Sequence, residues 1–260
     1  MNKRMKMLAW LYPLLLIGPG LAATSSAQEA DDLPSAEEVL AAYVKATGGV
    51  EKYKNLKNMS ATGKISIPQA GIKGSLEMLQ VAPNKVQVKT DLGGLGTIRQ
   101  GSDGETAWEL SVITGPRILE GEEAKQLMQE ANLKKTYEPQ SYYKEMKCVG
   151  TEDVDGEACY RLELTKPNGV VQTDYYSIES KLQVKSINEV VTNMGEMKIA
   201  VKLGDYRETD GIKMPFKMEQ SLPNGMSQIV QMDNIRINVE VPEGSFDLPE
   251  EIKEQIDQNQ

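Results

Sequence analysis

The chain has 260 residues, with 38 acidic against 29 basic side chains, a formal net charge of −9 and no histidine. An acidic balance of this size gives no electrostatic footprint for nucleic acid and repels anionic lipid head groups. The missing imidazole excludes Ser-His-Asp and Cys-His relays and the usual zinc sites, which removes most hydrolase mechanisms.

In chain order, Lys3, Arg4 and Lys6 precede an apolar run from Leu8 to Leu21 that ends in small residues from Ala22 to Ala27. These are the three parts of a secretory signal peptide. Pro13 and Pro19 interrupt a run shorter than the roughly 20 residues a membrane span needs, so cleavage after Ala27 is expected rather than anchoring. No cysteine follows the run, so acylation is not expected there. The mature chain should be soluble, without stable membrane insertion, and located in the periplasm or secreted. Losing three basic residues and no acidic one takes the net charge from −9 to −12. The expected organisation is a signal peptide over 1–27, a linker over 28–34, one domain over 35–249 and a polar tail over 250–260.

Ser35-Ala36-Glu37-Glu38 is a capping box that opens an amphipathic helix through Ala46, closed by Gly48-Gly49. A second short helix is expected over Val50 to Leu56. Strands follow over Met59 to Ile67, Ile72 to Val81, Lys85 to Asp91, Thr97 to Gln100 and Thr106 to Val112. Ala124, Leu127, Met128 and Ala131 then repeat at helical spacing, so a helix over Glu120 to Asn132 interrupts the strands. The strand pattern resumes near Met146 and continues through Tyr160–Leu164, Val170–Ile178, Leu182–Val191, Met197–Leu203, Ile212–Gln220 and Met226–Ile237. Asp155-Gly156, Asn168-Gly169, Asp210-Gly211 and Asn224-Gly225 supply turns that tolerate positive φ. About eleven or twelve strands exceed what an open twisted sheet carries without curling. A barrel, a part-barrel or a sandwich is therefore expected, with one face buried.

Three groups of residues bear on chemistry. Asp103, Glu105 and Glu109 surround Trp108, an arrangement that could serve a sugar substrate in a carboxylate-dependent hydrolase. However, Asp103-Gly104 reads first as a turn, and Glu105 and Glu109 as solvated strand positions. Cys148 and Cys159 are the only cysteines, and an oxidising compartment would permit their disulfide. A two-residue turn at Asp155-Gly156 would oppose Val154 to Glu157 and Glu152 to Cys159, leaving Cys148 facing Glu163, roughly 13 Å along the strand from the partner of Cys159. A bulge would change that register, so the bridge stays open at this point. A catalytic thiol is disfavoured because no base is available. Met78, Met194, Met197, Met214, Met218, Met226 and Met232 fall on strands and Met128 on the helix, whereas phenylalanine occurs only twice. Methionine fills ordinary cores, but it also adapts to varied apolar partners, and its number favours a plastic cavity.

An export signal, a first amphipathic helix, and an antiparallel meander broken by a helix together resemble the LolA-like lipoprotein-carrier and outer-membrane lipoprotein-sorting superfamily. Gly101-Ser102-Asp103-Gly104-Glu105-Thr106-Ala107-Trp108 and Tyr206-Arg207-Glu208-Thr209-Asp210-Gly211-Ile212-Lys213-Met214-Pro215-Phe216 are similar to hairpins common in that group. The resemblance implies a mainly β fold with a few α-helices: a strongly curved antiparallel sheet, an unclosed β-barrel, with helices covering its concave face. It implies a non-enzymatic carrier that takes acyl chains or lipoproteins into a cavity lined by Trp108, Leu127, Met128, Met214, Phe216 and Met218, under a lid formed by the helix that carries Leu127 and Met128. No cofactor, metal or catalytic residue is implied. The partners would be a lipid, an acyl chain or a lipoprotein. Relatives that act as envelope sensors suggest a protein partner as the alternative. Arg99, Arg117, Arg161, Arg207 and Arg236 sit in no matching motif, so a cargo-retaining arginine is not assigned.

Overall fold

The computed structural model describes residues 33–112, 114–130, 132–192, 195–221 and 225–258. The expected signal peptide, Met194 and Asn224 lie outside the described residues. Among the described residues the fold is mainly β, a single antiparallel sheet with four α-helices. Its strands are β1 (Asn58–Ile67), β2 (Ile72–Val81), β3 (Lys85–Asp91), β4 (Thr97–Ser102), β5 (Ala107–Ser111), β6 (Gly115–Leu119), β7 (Glu145–Val154), β8 (Glu157–Thr165), β9 (Val171–Ser177), β10 (Gln183–Thr192), β11 (Gly195–Thr209), β12 (Ile212–Ser221) and β13 (Ser227–Ile237). The helices are α1 (Ala36–Ala46), α2 (Val50–Lys54), α3 (Gly121–Glu130) and α4 (Glu250–Gln258). The strand order is β6-β5-β4-β3-β2-β1-β13-β12-β11-β10-β9-β8-β7. It ends in β6 and β7, so the sheet is not closed into a barrel.

Thirteen strands replace the eleven or twelve expected. The additional strand β6 escaped notice because its Gly115-Pro116-Arg117 start hides the alternation of a strand. The C-terminal segment expected to be a polar tail folds as α4, pinned by Ile252, which is fully buried. A helix anchored by a single buried residue looks polar in composition.

The chain forms two compact units. One holds Leu56–Leu133 and Val230–Gln260; the other holds the described residues up to Asn55, with Lys134–Ile229. In the first unit, β1 to β6 form a meander of consecutive antiparallel pairs. Residues opposite one another share a face, so the strand register assembles a buried row of Leu76, Thr90, Ile98 and Ser111 and a second of Gln80, Val86, Ser102, Ala107 and Leu119. The other face carries Glu77, Lys89 and Arg99, with an ion pair of 3.2 Å between Lys89 and Glu77.

In the second unit, α1 begins at the expected capping box: Glu38 N–H donates to Ser35 Oγ at 3.2 Å and Ser35 N–H donates to Glu38 Oε2 at 2.8 Å. Such a cap is worth about 1 kcal/mol. The apolar stripe of α1, Ala36, Val39 and Leu40, packs on Leu162, Leu164 and Tyr176. The C-terminal end of α1 is held against the β11–β12 turn, where Lys213 N–H donates to Thr47 O at 2.8 Å. That turn uses Asp210 at φ 49° and Gly211 at φ 83°, the positive pair the sequence anticipated.

Candidate functional site

In the first unit, β5 is buried on both faces, with Ala107, Trp108, Glu109 and Ser111 all buried. Trp108 lies opposite Gly101 on β4. A side chain at Gly101 would come within 2.7 Å of the indole, so the ring lies over bare backbone. The Arg99 guanidinium stands over the ring, 5.6 Å from its centroid. Trp108 is therefore bound up in a glycine-supported aromatic contact on the same face as Lys89 and Arg99.

Glu109 points to the opposite face. It was expected to be solvated, but it is 2% exposed. The register explains why: Glu109 lies opposite Gln100 on one side and Arg117 on the other, and both supply hydrogen bonds. Gln100 Nε2 donates to Glu109 Oε2 at 2.6 Å, while Thr114 Oγ1 and Arg117 Nε donate to Oε1 at 2.9 and 3.0 Å. Burial pushes the Glu109 carboxyl above its ordinary range, against the hydrogen bonds from Gln100 and Thr114. The other edge of Arg117 forks onto Glu123 of α3 at 3.0 and 2.6 Å. Arg117 thereby ties α3 to the Glu109 face, and α3 packs against β4 and β5. Leu127 and Met128 are half-buried on that helix.

The acid group considered for hydrolysis does not assemble. Asp103 Oδ1 accepts the Glu105 and Thr106 N–H groups, both at 2.8 Å, which is turn chemistry, and Glu105 is exposed. Glu109 faces an arginine in a covered row. No group of three or more metal-ligating side chains occurs among the described residues.

In the second unit, Met214, Phe216 and Met218 are alternate residues of β12 and so share one face with Ile212 and Gln220. Phe216 is buried and the two methionines are half-buried, with the Arg207 guanidinium 4.7 Å from the Phe216 ring centroid. The register continues from Gln220 to Val201, Ser186, Asp174 and Leu162, a row buried throughout. Asp174 accepts from Ser186 Oγ at 2.6 Å, from Gln172 Nε2 at 3.0 Å and from the Tyr176 hydroxyl at 3.4 Å. Burial raises the Asp174 carboxyl above its ordinary range, and these hydrogen bonds oppose the shift. Beside it, Tyr43 and Tyr176 meet edge to face at 5.4 Å. The Tyr53 hydroxyl donates to Thr47 Oγ1 at 2.9 Å and the Tyr206 hydroxyl to Gln183 O at 2.7 Å. The sequence reading missed this polar and aromatic layer, because strand-borne Asp, Ser and Gln look like solvent positions until the register stacks them beneath α1. A cleft of ≈ 160 Å³ lined by Glu38, Val39, Ala42, Tyr160, Tyr176 and Lys181 opens beside α1. It is smaller than the roughly 300 Å³ that ligand pockets begin at.

Both cysteines are free. The expected pairs Val154 with Glu157 and Glu152 with Cys159 form, but an irregularity between Cys148 and Gly150 places Cys148 opposite Leu162 instead of Glu163. Cys148 therefore joins the face packed on α1, whereas Cys159 packs with Val154 and Tyr175 on the other. Thiols on opposite faces do not meet.

No family model and no curated protein matches the sequence. Solved structures do share its fold. A DUF1329 family protein from Desulfovibrio piger is 14% identical, with a TM-score of 0.56 over 82% of this chain and 97% of its own. A LolA superfamily protein from Nitrosomonas europaea is 14% identical, with a TM-score of 0.55 over 83% of this chain and 99% of its own. A domain from Vibrio parahaemolyticus described as outer membrane lipoprotein-sorting is also 14% identical, with a TM-score of 0.52 over 82% of this chain and 97% of its own. At that identity the likeness establishes the fold, which is the one the sequence resemblance implied.

Proposed function

We propose that this chain is an exported, non-enzymatic carrier that holds acyl chains, free or as the anchors of lipoproteins, for passage across the cell envelope. The fold is the observation that carries this reading, because it is shared with LolA superfamily and lipoprotein-sorting structures over more than four-fifths of the chain. Physics supplies the reason for a carrier. Each CH₂ of an acyl chain left in water forgoes about 0.8 kcal/mol of burial, so cargo outside a bilayer needs a protein face in its place. The half-buried Leu127 and Met128 on α3 are one such surface, and the Met214–Phe216–Met218 stripe of β12 is another. Trp108 is left out of the proposed contacts, because its ring is committed to Gly101 on the face opposite Glu109. Export by the N-terminal signal would deliver the chain to the periplasm or beyond.

Native mass spectrometry of the protein purified from its own envelope tests the proposal. A bound lipid or lipoprotein is expected. A stoichiometric protein partner with no lipid would replace the carrier by an adaptor.

A further inference from the structure

Gln220 and Gln228 are each 1% exposed, and among the described residues neither the amide nitrogen nor the carbonyl oxygen of either side chain has a hydrogen-bond partner. Four such atoms in one small region are anomalous, because buried polar groups are almost always bonded. The two residues sit on neighbouring strands, β12 and β13, at the same end of the pair, on either side of the connection through 222–224. A fifth unpartnered atom, Asn188 Oδ1, lies on β10; the Asn188 amide nitrogen is used, donating to Ser186 Oγ at 2.9 Å. Asn188 is opposite Ile199, two residues from the Val201 that faces Gln220. Gln220 also ends the alternating stripe Met214–Phe216–Met218. An apolar track thus runs along β12 into unused amide donors and acceptors.

We propose that Gln220 and Gln228 form a polar seat for an uncharged head group, an ester, amide or hydroxyl, whose acyl chain lies along Met214, Phe216 and Met218. The seat rests on the carrier reading and adds to it the orientation and head-group class of the cargo. Carboxamides offer both donors and acceptors and carry no charge, so they match groups that do the same. An anionic head would enter the buried row that also holds Asp174, where a charge without a partner is disfavoured.

Displacement of a fluorescent fatty acid by 1-palmitoylglycerol, palmitamide and palmitate tests the seat, using the mature chain and its Gln220→Met and Gln228→Met variants. The wild type should prefer the two neutral ligands to palmitate by about tenfold, roughly the effect of one or two net hydrogen bonds. Each variant should lose that preference while holding palmitate within about twofold, and should melt no lower than wild type without ligand, because it removes an unsatisfied buried amide. A preference for glycerol ester over amide, or the reverse, identifies the source of the head group. Unchanged preference in the variants, or variants that melt lower or fail to fold, would show that the amides serve the fold and overturn the seat while leaving the carrier reading intact. A wild type that binds none of the three removes both.

Discussion

Asp174 has been withdrawn from water by its position in the sheet, at 2% exposure opposite Leu162, on the face against which α1 packs. Its folded-state carboxyl is raised, chiefly by burial, so the native state holds the proton more firmly than the unfolded chain does. The stability it provides is therefore full below the ordinary carboxylate range and declines as pH rises through the raised folded-state value. Asp174→Asn keeps the shape and removes the titration. Its melting temperature should fall less than that of wild type between pH 4.5 and pH 7.5; parallel curves would show that Asp174 titrates as an ordinary surface carboxylate. Glu109 teaches the same lesson about legibility. A glutamate in Ala107-Trp108-Glu109-Leu110-Ser111 read as solvated, yet few polar residues flank it, and that short run was the available sign of a strand covered on both faces.

Helix α3 was legible from its spacing, and its bounds came within one or two residues of those expected. What holds it was not. Among its described side chains none is fully buried. One attachment is the Arg117 fork onto Glu123, backed by the buried Glu109. A helix with no fully buried side chain among those described belongs to the low-stability end of a fold, where lids are found. Leu127→Asp with Met128→Asp should cost about 1–2 kcal/mol and leave the sheet folded, while weakening fatty-acid binding by about tenfold. Circular dichroism melting and fluorescent fatty-acid displacement check both halves. Unchanged affinity in a folded variant would remove the lid; unfolding would make the stripe ordinary core.

At the scale of the molecule, the two thiols contribute no covalent link. Cys159 is fully buried and its thiol is pushed up to about 11, mainly by burial, and Cys148 lies on the other sheet face. Reductant should leave the melting temperature unchanged, and a drop of several degrees would reveal a bridge. The bulge that parts the cysteines had one local sign, Gly150 inside the strand next to the extra residue Val149, which marks an irregularity without fixing the register that results. Local chemistry did settle much of this protein. The alternation of apolar residues named twelve of the strands or their neighbourhoods, the Asp-Gly pairs named their turns, and Ser35 with Glu38 named the start of α1, because each is decided by residues a few positions apart. Tertiary structure alone decided that β13 pairs beside β1, where Asn238 Oδ1 accepts the Lys57 N–H at 2.8 Å and Val239 N–H donates to Asn58 Oδ1 at 2.8 Å. It also decided that Glu109 meets an arginine, that Trp108 faces away from Glu109, and that Gln220 and Gln228 are buried without partners. These depend on register between strands and on what covers each face, and neither is encoded in the period of a single strand.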